Sequence, residues 1–128
     1  MEYVTLVVLL ALLEYMVFTM LTGRARMAHK VQAPATTGNE IFERYYRVQQ
    51  NTIEQLVIFI PSIYMFGAYV HEMAAAIIGI IFIIGRALYL RGYVADPGKR
   101  APGFLLTMLS NVILLLGSII GLGIKVFA

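Results

Sequence analysis

Three polar side chains lie on one face of a predicted helix that leads into a long apolar run. Arg47, Asn51 and Glu54 are spaced i, i+4 and i+7, so successive members stand one helical turn apart. Glu54 enters the apolar run itself, where an ionised carboxylate costs several kcal/mol unless it is paired or faces an aqueous cavity. The spacing therefore offers a cation, an amide and an anion to one polar partner.

A second polar face is predicted further along the chain. Arg86, Tyr89 and Tyr93 are spaced i, i+3 and i+7, which again places them on one side of a helix. The guanidinium of Arg86 has two candidate partners on neighbouring helices, the carboxylates of Glu54 and Glu14. For Glu14 and for Arg86 alone, an ion pair that stabilises the bundle is the favoured interpretation.

The combined set is larger than a structural ion pair requires. Arg26 and Arg100 belong to loops expected at the same membrane face as the two polar helix faces, so all of these side chains can converge there. Two residues suffice for an ion pair, whereas this set mixes cations, an anion, an amide and phenols. The mixture favours a polar ligand with several charged ends.

Composition identifies the elements that must position these side chains. The chain has 128 residues, of which 60% are hydrophobic and 13% are charged, against roughly 25% charged in soluble domains. The apolar residues form four runs, each near the ~20 residues that a helix needs to cross a bilayer. The runs are 4–21, 56–70, 73–90 and 104–127. Because lipid offers no partner to a free backbone group, and alternating barrel patterns are absent, the sequence predicts an all-α integral membrane four-helix bundle, with one domain over residues 1–128.

Local signals give the expected bounds of these helices. The first run has Glu2 as its only early charge, so a retained helix is expected rather than a signal peptide. The second helix is expected from 39–41 to Val70, roughly 45 Å, with its polar first half outside the hydrocarbon core and a bend at Pro61. Loops are expected at 23–40 and 94–103, which contain turn-forming residues.

The basic residues are placed very unevenly. Nine of the ten surround the first and third loops, and only Lys125 lies at the other side. Since positive residues favour the cytoplasmic face, these two loops are expected to be cytoplasmic, with both termini and the short loop at His71 outside. The same bias explains the net charge of +3 at pH 7, so no nucleic-acid partner is expected.

Several kinds of site are excluded by residue types. The chain has no cysteine, so disulfides and thiolate metal sites are excluded, and any thiol chemistry must use a thiol that a substrate brings. His29 and His71 lie in different loops, so no metal site is expected. Neither a Gly-rich phosphate loop nor a Ser/His/Asp set is present.

Together these residues resemble a known family, the MAPEG proteins, which are membrane-associated proteins of eicosanoid and glutathione metabolism. The resemblance spans residues 26–100, and the four-helix layout covers the whole chain. The matching residues are Thr36-Thr37-Gly38, Phe42-Glu43-Arg44, Tyr46-Arg47, Gln49, Asn51, Glu54, Arg86, Tyr89, Gly92-Tyr93 and Arg100. The string E-R-x-x-R-x-Q-x-N-x-x-E is the most specific part.

The resemblance implies a homotrimer that binds glutathione between adjacent subunits, near the cytosolic face. Glutathione would be the co-substrate. Arg100 would be the catalytic residue, because it matches the arginine that stabilises the glutathione thiolate. The positions that would contact glutathione are Arg26, Arg47, Gln49, Asn51, Glu54, Tyr89 and Tyr93.

Two departures from the resemblance bear on its function. Members that make leukotriene C carry a second arginine where this chain has Met27, and a tyrosine where it has Gln55. A dedicated leukotriene synthase is therefore not expected. Short loops and the absence of a basic C-terminal tail favour a bacterial member, located in the inner membrane.

The chemistry of the residues agrees with glutathione, which has two carboxylates and one ammonium. Arginines bind carboxylates as bidentate forks, Glu54 suits the ammonium, and a nearby arginine favours the thiolate. The expected function is a membrane glutathione transferase that attacks lipophilic electrophiles, and the same thiolate can also reduce lipid hydroperoxides. The alternatives are a non-catalytic lipid- or glutathione-binding scaffold, and a small transporter, which the end of the polar face near Gln55 disfavours.

Overall fold

The computed structural model describes all 128 residues as four helices joined by short connections. The helices are α1 (Glu2–Ala28), α2 (Glu40–Tyr69), α3 (Glu72–Ala95) and α4 (Ala101–Phe127), and a 3-10 turn (Pro97–Lys99) precedes α4. Each helix is long and apolar enough to cross a membrane. The prediction of an all-α integral membrane bundle is confirmed.

Short capping contacts define where the helices begin. The Asn39 side chain accepts a hydrogen bond from the Phe42 backbone N–H at the start of α2 (3.0 Å). The His71 ring accepts one from the Ala74 N–H at the start of α3 (3.1 Å). The observed bounds of α2 agree with those expected from the sequence, and Pro61 lies inside this helix.

Both long loops are shorter than the sequence predicted. α1 continues to Ala28, because its arginines are good helix formers and Arg26 in the last turn complements the helix dipole. α3 continues to Ala95, and α4 begins at Ala101 with Pro102 in its first turn, where proline has no hydrogen bond to remove. Only residues 29–39 and 96–100 connect these helices.

The four helices form two distinct halves. α1 and α3 end where α2 and α4 begin; we call this the basic end, because nine of the ten basic residues lie in its half. The opposite half is apolar. Phe59 and Phe82 stack there with ring centroids 3.9 Å apart, and Ile63 is fully buried beside them.

Glycines permit the close contact of α4 with its neighbours. A Cβ on Gly103 would lie 2.2 Å from the Tyr89 backbone nitrogen, so no side chain fits between α3 and α4 at this level. Gly117 lies against the Phe66 ring, and Gly121 lies against the Tyr69 carbonyl. Small residues at these positions let the helix backbones approach closely.

Candidate active site

A cleft of about 850 Å³ opens at the basic end between α2, α3 and the start of α4. We call it the polar cleft. It brings together five of the residues that the sequence predicted for a binding site: Arg47, Asn51, Tyr89, Tyr93 and Arg100. Gly98, Ala101 and Phe104 complete its lining. Cations, an amide and phenols therefore converge in one concave site near a membrane surface.

Arg86 supports one wall of the polar cleft from behind. It is fully buried, and both of its terminal nitrogens donate to Asn51 Oδ1 at 2.9 Å. Its guanidinium lies 4.4 Å from the centroid of the Tyr89 ring. Arg86 thus fixes the orientation of two cleft residues without lining the cleft itself.

The partner of Arg86 is neither of the two carboxylates that the sequence suggested. Both candidate carboxylates, Glu54 and Glu14, are farther than the 4.0 Å of an ion pair, and an amide takes their place. Glu14 Oε1 and Arg86 Nε are both buried without a hydrogen-bond partner in the chain. α1 therefore brings its carboxylate into the bundle near Arg86 without a direct bond.

Arg100 is held at the cleft by the connection that precedes α4. It is the N-cap residue of α4, and its Nη1 donates to the Pro97 carbonyl at 2.9 Å. A Cβ on Gly92 would lie 2.4 Å from the Lys99 carbonyl oxygen, so this connection lies directly on α3. The Asp96 side chain accepts from the Gly98 N–H at 3.0 Å. These contacts place a solvent-exposed guanidinium in the lining of the cleft, to which Tyr89 and Tyr93 also belong.

Three predicted site residues do not line the polar cleft of their own chain. Arg26 Nη1 donates to the carbonyls of Val31 (3.3 Å) and Ala35 (2.7 Å), so it braces the first loop. Gln49 donates to the Thr19 hydroxyl at 3.2 Å on the α1 side. Glu54 lies beside the cleft, where its Oε1 is 3.9 Å from Arg47 Nη1. Their contact with a ligand stays a prediction.

An apolar groove continues from the polar cleft along α2 and α4. Phe104 lines both the cleft and a first cavity of about 240 Å³, which also includes Gln55 and Asn111. A second cavity of about 360 Å³ follows towards the opposite end, and it shares Ile58 and Leu115 with the first. The apolar groove is formed by these two cavities. Its edge residues are exposed on the bundle surface that a membrane would cover.

Comparison with known proteins agrees with this architecture. The pattern of the MAPEG family matches residues 4–120. The chain belongs to the MAPEG family.

Its MAPEG relatives include bacterial and animal proteins. The chain is 44% identical to an uncharacterized protein of Synechocystis, over 91% of this chain and 85% of the relative. It is 42% identical to human microsomal glutathione S-transferase 2, over 71% of this chain and 62% of the relative. It is 39% identical to the leukotriene C4 synthase of Cavia porcellus, over 73% of this chain. The match spans a little under two thirds of those two animal proteins.

Some residues of the polar cleft and the apolar groove were not predicted from the sequence. Phe104 stands one turn after Arg100 on α4, and that i, i+4 spacing could have placed it at the same site. Asn111 stands inside the apolar run 104–127, where it is a lone amide. Its contact with Gln55 had no signal in the sequence, because the relative register of α2 and α4 is not readable there.

Proposed function

We propose that this MAPEG protein is a membrane-bound glutathione transferase that presents the glutathione thiolate to lipophilic electrophiles. One observation carries the proposal: Arg47, Asn51, Tyr89, Tyr93 and Arg100 converge in a polar cleft that is continuous with an apolar groove. Phe104 lies at the boundary between the two. The polar cleft on one side suits a water-soluble thiol, and the apolar groove on the other side suits a membrane-soluble electrophile.

The polar cleft has the donors that glutathione requires. Arg47 binds a carboxylate, and the amide of Asn51 and the phenols of Tyr89 and Tyr93 bind its peptide groups and thiol. Glu54 beside Arg47 binds the ammonium. Arg26 and Gln49 lie outside the cleft of their own chain, and a site between subunits would receive them from an adjacent copy. The name of the human relative, microsomal glutathione S-transferase 2, supports the same co-substrate.

The chemical step is a nucleophilic attack by sulfur. A free thiol has a pKa near ~8.5 and is mostly protonated at neutral pH. The Arg100 guanidinium favours the thiolate by charge attraction, so the proton leaves to water. The sulfur then bonds to the electrophilic carbon; a halide departs with its electron pair, or an enal takes up a proton after addition.

Arg100 and Lys99 provide a matched test of this step. Arg100→Ala is expected to keep glutathione binding but to raise the pKa of the bound thiol by about one unit, so the rate near neutral pH falls about tenfold. The pH–rate curve shifts to higher pH. Lys99→Ala, which removes an adjacent exposed cation outside the cleft lining, is expected to change neither.

The readouts are the ultraviolet absorbance of the glutathione thiolate and the initial rate of conjugation. A folded Arg100→Ala protein with an unchanged pH–rate curve would remove Arg100 from the mechanism, and Tyr93→Phe would then test the phenol as thiolate donor. A parent protein that binds glutathione without forming thiolate or product would favour the non-catalytic scaffold.

The orientation proposed for the chain follows the positive charge. With no native cysteine, single cysteines at Thr37 and Gly98 are expected to react with an impermeant label only from the cytoplasmic side, and one at His71 only from outside. Labelling of all three from one side would contradict this orientation.

The assembly proposed for the chain is a homotrimer. The position of Arg26 and Gln49 outside the polar cleft of their own chain, where both are partly exposed, supports a site completed by an adjacent subunit. Detergent-solubilised protein is expected to have the protein mass of three chains. A monomer that still binds glutathione would contradict both the trimer and the intersubunit site.

A further inference from the structure

Two amide side chains face each other where the apolar groove begins. α2 and α4 run in the same direction, since Gln55 contacts Asn111 and Ser62 contacts Ser118, each pair 56 residues apart. Asn111 Nδ2 donates to Gln55 Oε1 at 3.0 Å and to the Gln55 carbonyl at 3.3 Å. Both side chains line the first cavity of the groove.

These amides are incompletely paired. Asn111 is 5% exposed, and its Oδ1 has no hydrogen-bond partner in the chain. Gln55 is half-buried, and its Nε2 donates to no group of the chain, whereas its Oε1 is taken by Asn111. Because an unpaired polar group in an apolar site is costly, two such groups side by side point to a ligand or a specific function.

The geometry fixes which end of the Gln55 amide is free. Asn111 holds the oxygen, so the Nε2 group is presented as a hydrogen-bond donor within the groove. Gln55 stands one turn after Asn51, which lines the polar cleft. A molecule that reached the cleft along the groove would pass this donor about one helical turn, ~5.4 Å, before the cleft.

We propose that Gln55 is a specificity residue that donates a hydrogen bond to an oxygen atom of the lipophilic electrophile, and that Asn111 positions it. This inference rests on the proposed transferase function. The substrate class is an apolar chain that carries a carbonyl, ether or hydroperoxide oxygen a few carbons from its reactive carbon. Electrophiles with no oxygen atom in the chain, such as plain alkyl iodides, would enter the same groove without that contact and leave the Gln55 donor unpaired.

Ser118 provides a matched control on the same helix. It stands two turns after Asn111 and lines the second cavity, but its hydroxyl contacts the carbonyls of Ser62 (3.2 Å) and Leu114 (2.5 Å). Its hydrogen bonding is complete within the chain. Replacing it should affect packing between α2 and α4 and leave recognition of an oxygen atom unchanged.

The experiment compares long-chain alkyl iodides that carry one ketone oxygen, moved along the chain, with the plain iodide. kcat and KM for glutathione conjugation are measured for the parent protein, Gln55→Leu, Asn111→Leu, their double variant and Ser118→Ala. In the parent, the iodide with its oxygen at the right distance is expected to have a lower KM than the plain iodide. Gln55→Leu should reduce that advantage by about three- to tenfold, the range of one neutral hydrogen bond.

Further results separate this proposal from simpler explanations. Asn111→Leu should reduce the same advantage, and the double variant should be no worse than Gln55→Leu, because both changes remove one interaction. The ratio of KM for the plain iodide to KM for the oxygen-bearing iodide measures this advantage. Ser118→Ala should leave that ratio unchanged, and Gln55→Leu should leave KM for the plain iodide unchanged. Gln55→Met, which keeps the side-chain volume, replaces Gln55→Leu where the latter lowers the yield of trimer.

Each contrary outcome has one meaning. An active parent whose ratio is unchanged by Gln55→Leu overturns this inference and leaves the transferase intact. A variant that changes trimer dissociation but not the ratio also overturns it, because the groove would then be covered by an adjacent subunit. A parent that conjugates none of the iodides and forms no thiolate overturns both proposals.

Discussion

The two halves of the bundle solve the problem of burial in different ways. In the apolar half, Phe59, Phe82 and Ile63 are fully buried and need only complementary shape. In the basic half, the largest buried side chain is Arg86, which needs hydrogen-bond partners as well as space. Burial in the apolar half therefore needs no hydrogen-bond partner from outside the chain.

The basic half, in contrast, leaves buried polar atoms without hydrogen-bond partners in the chain. Glu14 Oε1, Arg44 Nε, Arg86 Nε and Asn111 Oδ1 are buried without hydrogen-bond partners. Arg44 and Arg86 belong to helices that form the polar cleft, and Asn111 lines the groove that adjoins it, whereas Glu14 lies on α1. Stability alone would favour apolar side chains at such positions. The difference between the halves indicates that the basic half is organised for a function and not for stability.

The largest effect on folding is expected in the apolar half. Phe82→Ala removes a fully buried ring stacked on Phe59 and should lower the free energy of unfolding by about 3–5 kcal/mol. Glutathione affinity of the folded fraction should stay unchanged, because the ring lies away from the cleft. Titration with a denaturing detergent measures the first quantity and calorimetry the second. Ile81→Ala, an exposed neighbour, is the control; a loss of glutathione affinity in Phe82→Ala would show that the halves are coupled.

A smaller effect on folding, with loss of binding, is expected for Arg86. Arg86→Met removes both hydrogen bonds to Asn51 and should cost about 1.5–3 kcal/mol of stability, the range for a charged donor. Asn51 and Tyr89 lose their fixed orientation, so glutathione affinity should fall up to about tenfold.

The same unfolding and binding measurements apply to this variant. Arg91→Met, which removes an exposed arginine of the same helix, should change neither quantity. Arg86→Lys should restore charge but not the fork of two donors, and so recover only part of the affinity. An Arg86→Met protein with parental affinity would mean that Asn51 is positioned by other contacts.

The same contrast explains what was readable from the sequence. Four apolar runs of sufficient length predicted the helices, and the spacing of Arg47 and Asn51 predicted their common face, because both depend on local periodicity. Which side chains meet between helices depends on register and rotation. For that reason the Arg86–Asn51 and Gln55–Asn111 contacts were not predictable, and Arg26 was not expected to brace the first loop.

The smallest effect on folding is expected for Arg47, at the mouth of the polar cleft. Its ion pair with Glu54 is long, 3.9 Å, and both side chains are more than half exposed, at 53% and 56%. Such a pair contributes about 0–1 kcal/mol, so Arg47→Ala should change the free energy of unfolding by no more than that. A small structural role leaves this guanidinium available to a ligand.

Binding should show the opposite ranking. A bidentate contact between Arg47 and a glutathione carboxylate predicts that Arg47→Ala weakens binding by about 1.5–3 kcal/mol, the range for a hydrogen bond to a charged group. Arg24→Ala, at an exposed position on α1 outside the cleft lining, removes the same charge from the same end and controls for long-range attraction of an anionic ligand. Raising the salt concentration should weaken any long-range attraction in both variants alike, whereas the direct contact is screened much less. Equal losses of affinity in Arg47→Ala and Arg24→Ala would mean that the general positive charge of the basic end attracts glutathione. That result would contradict the polar cleft as the binding site.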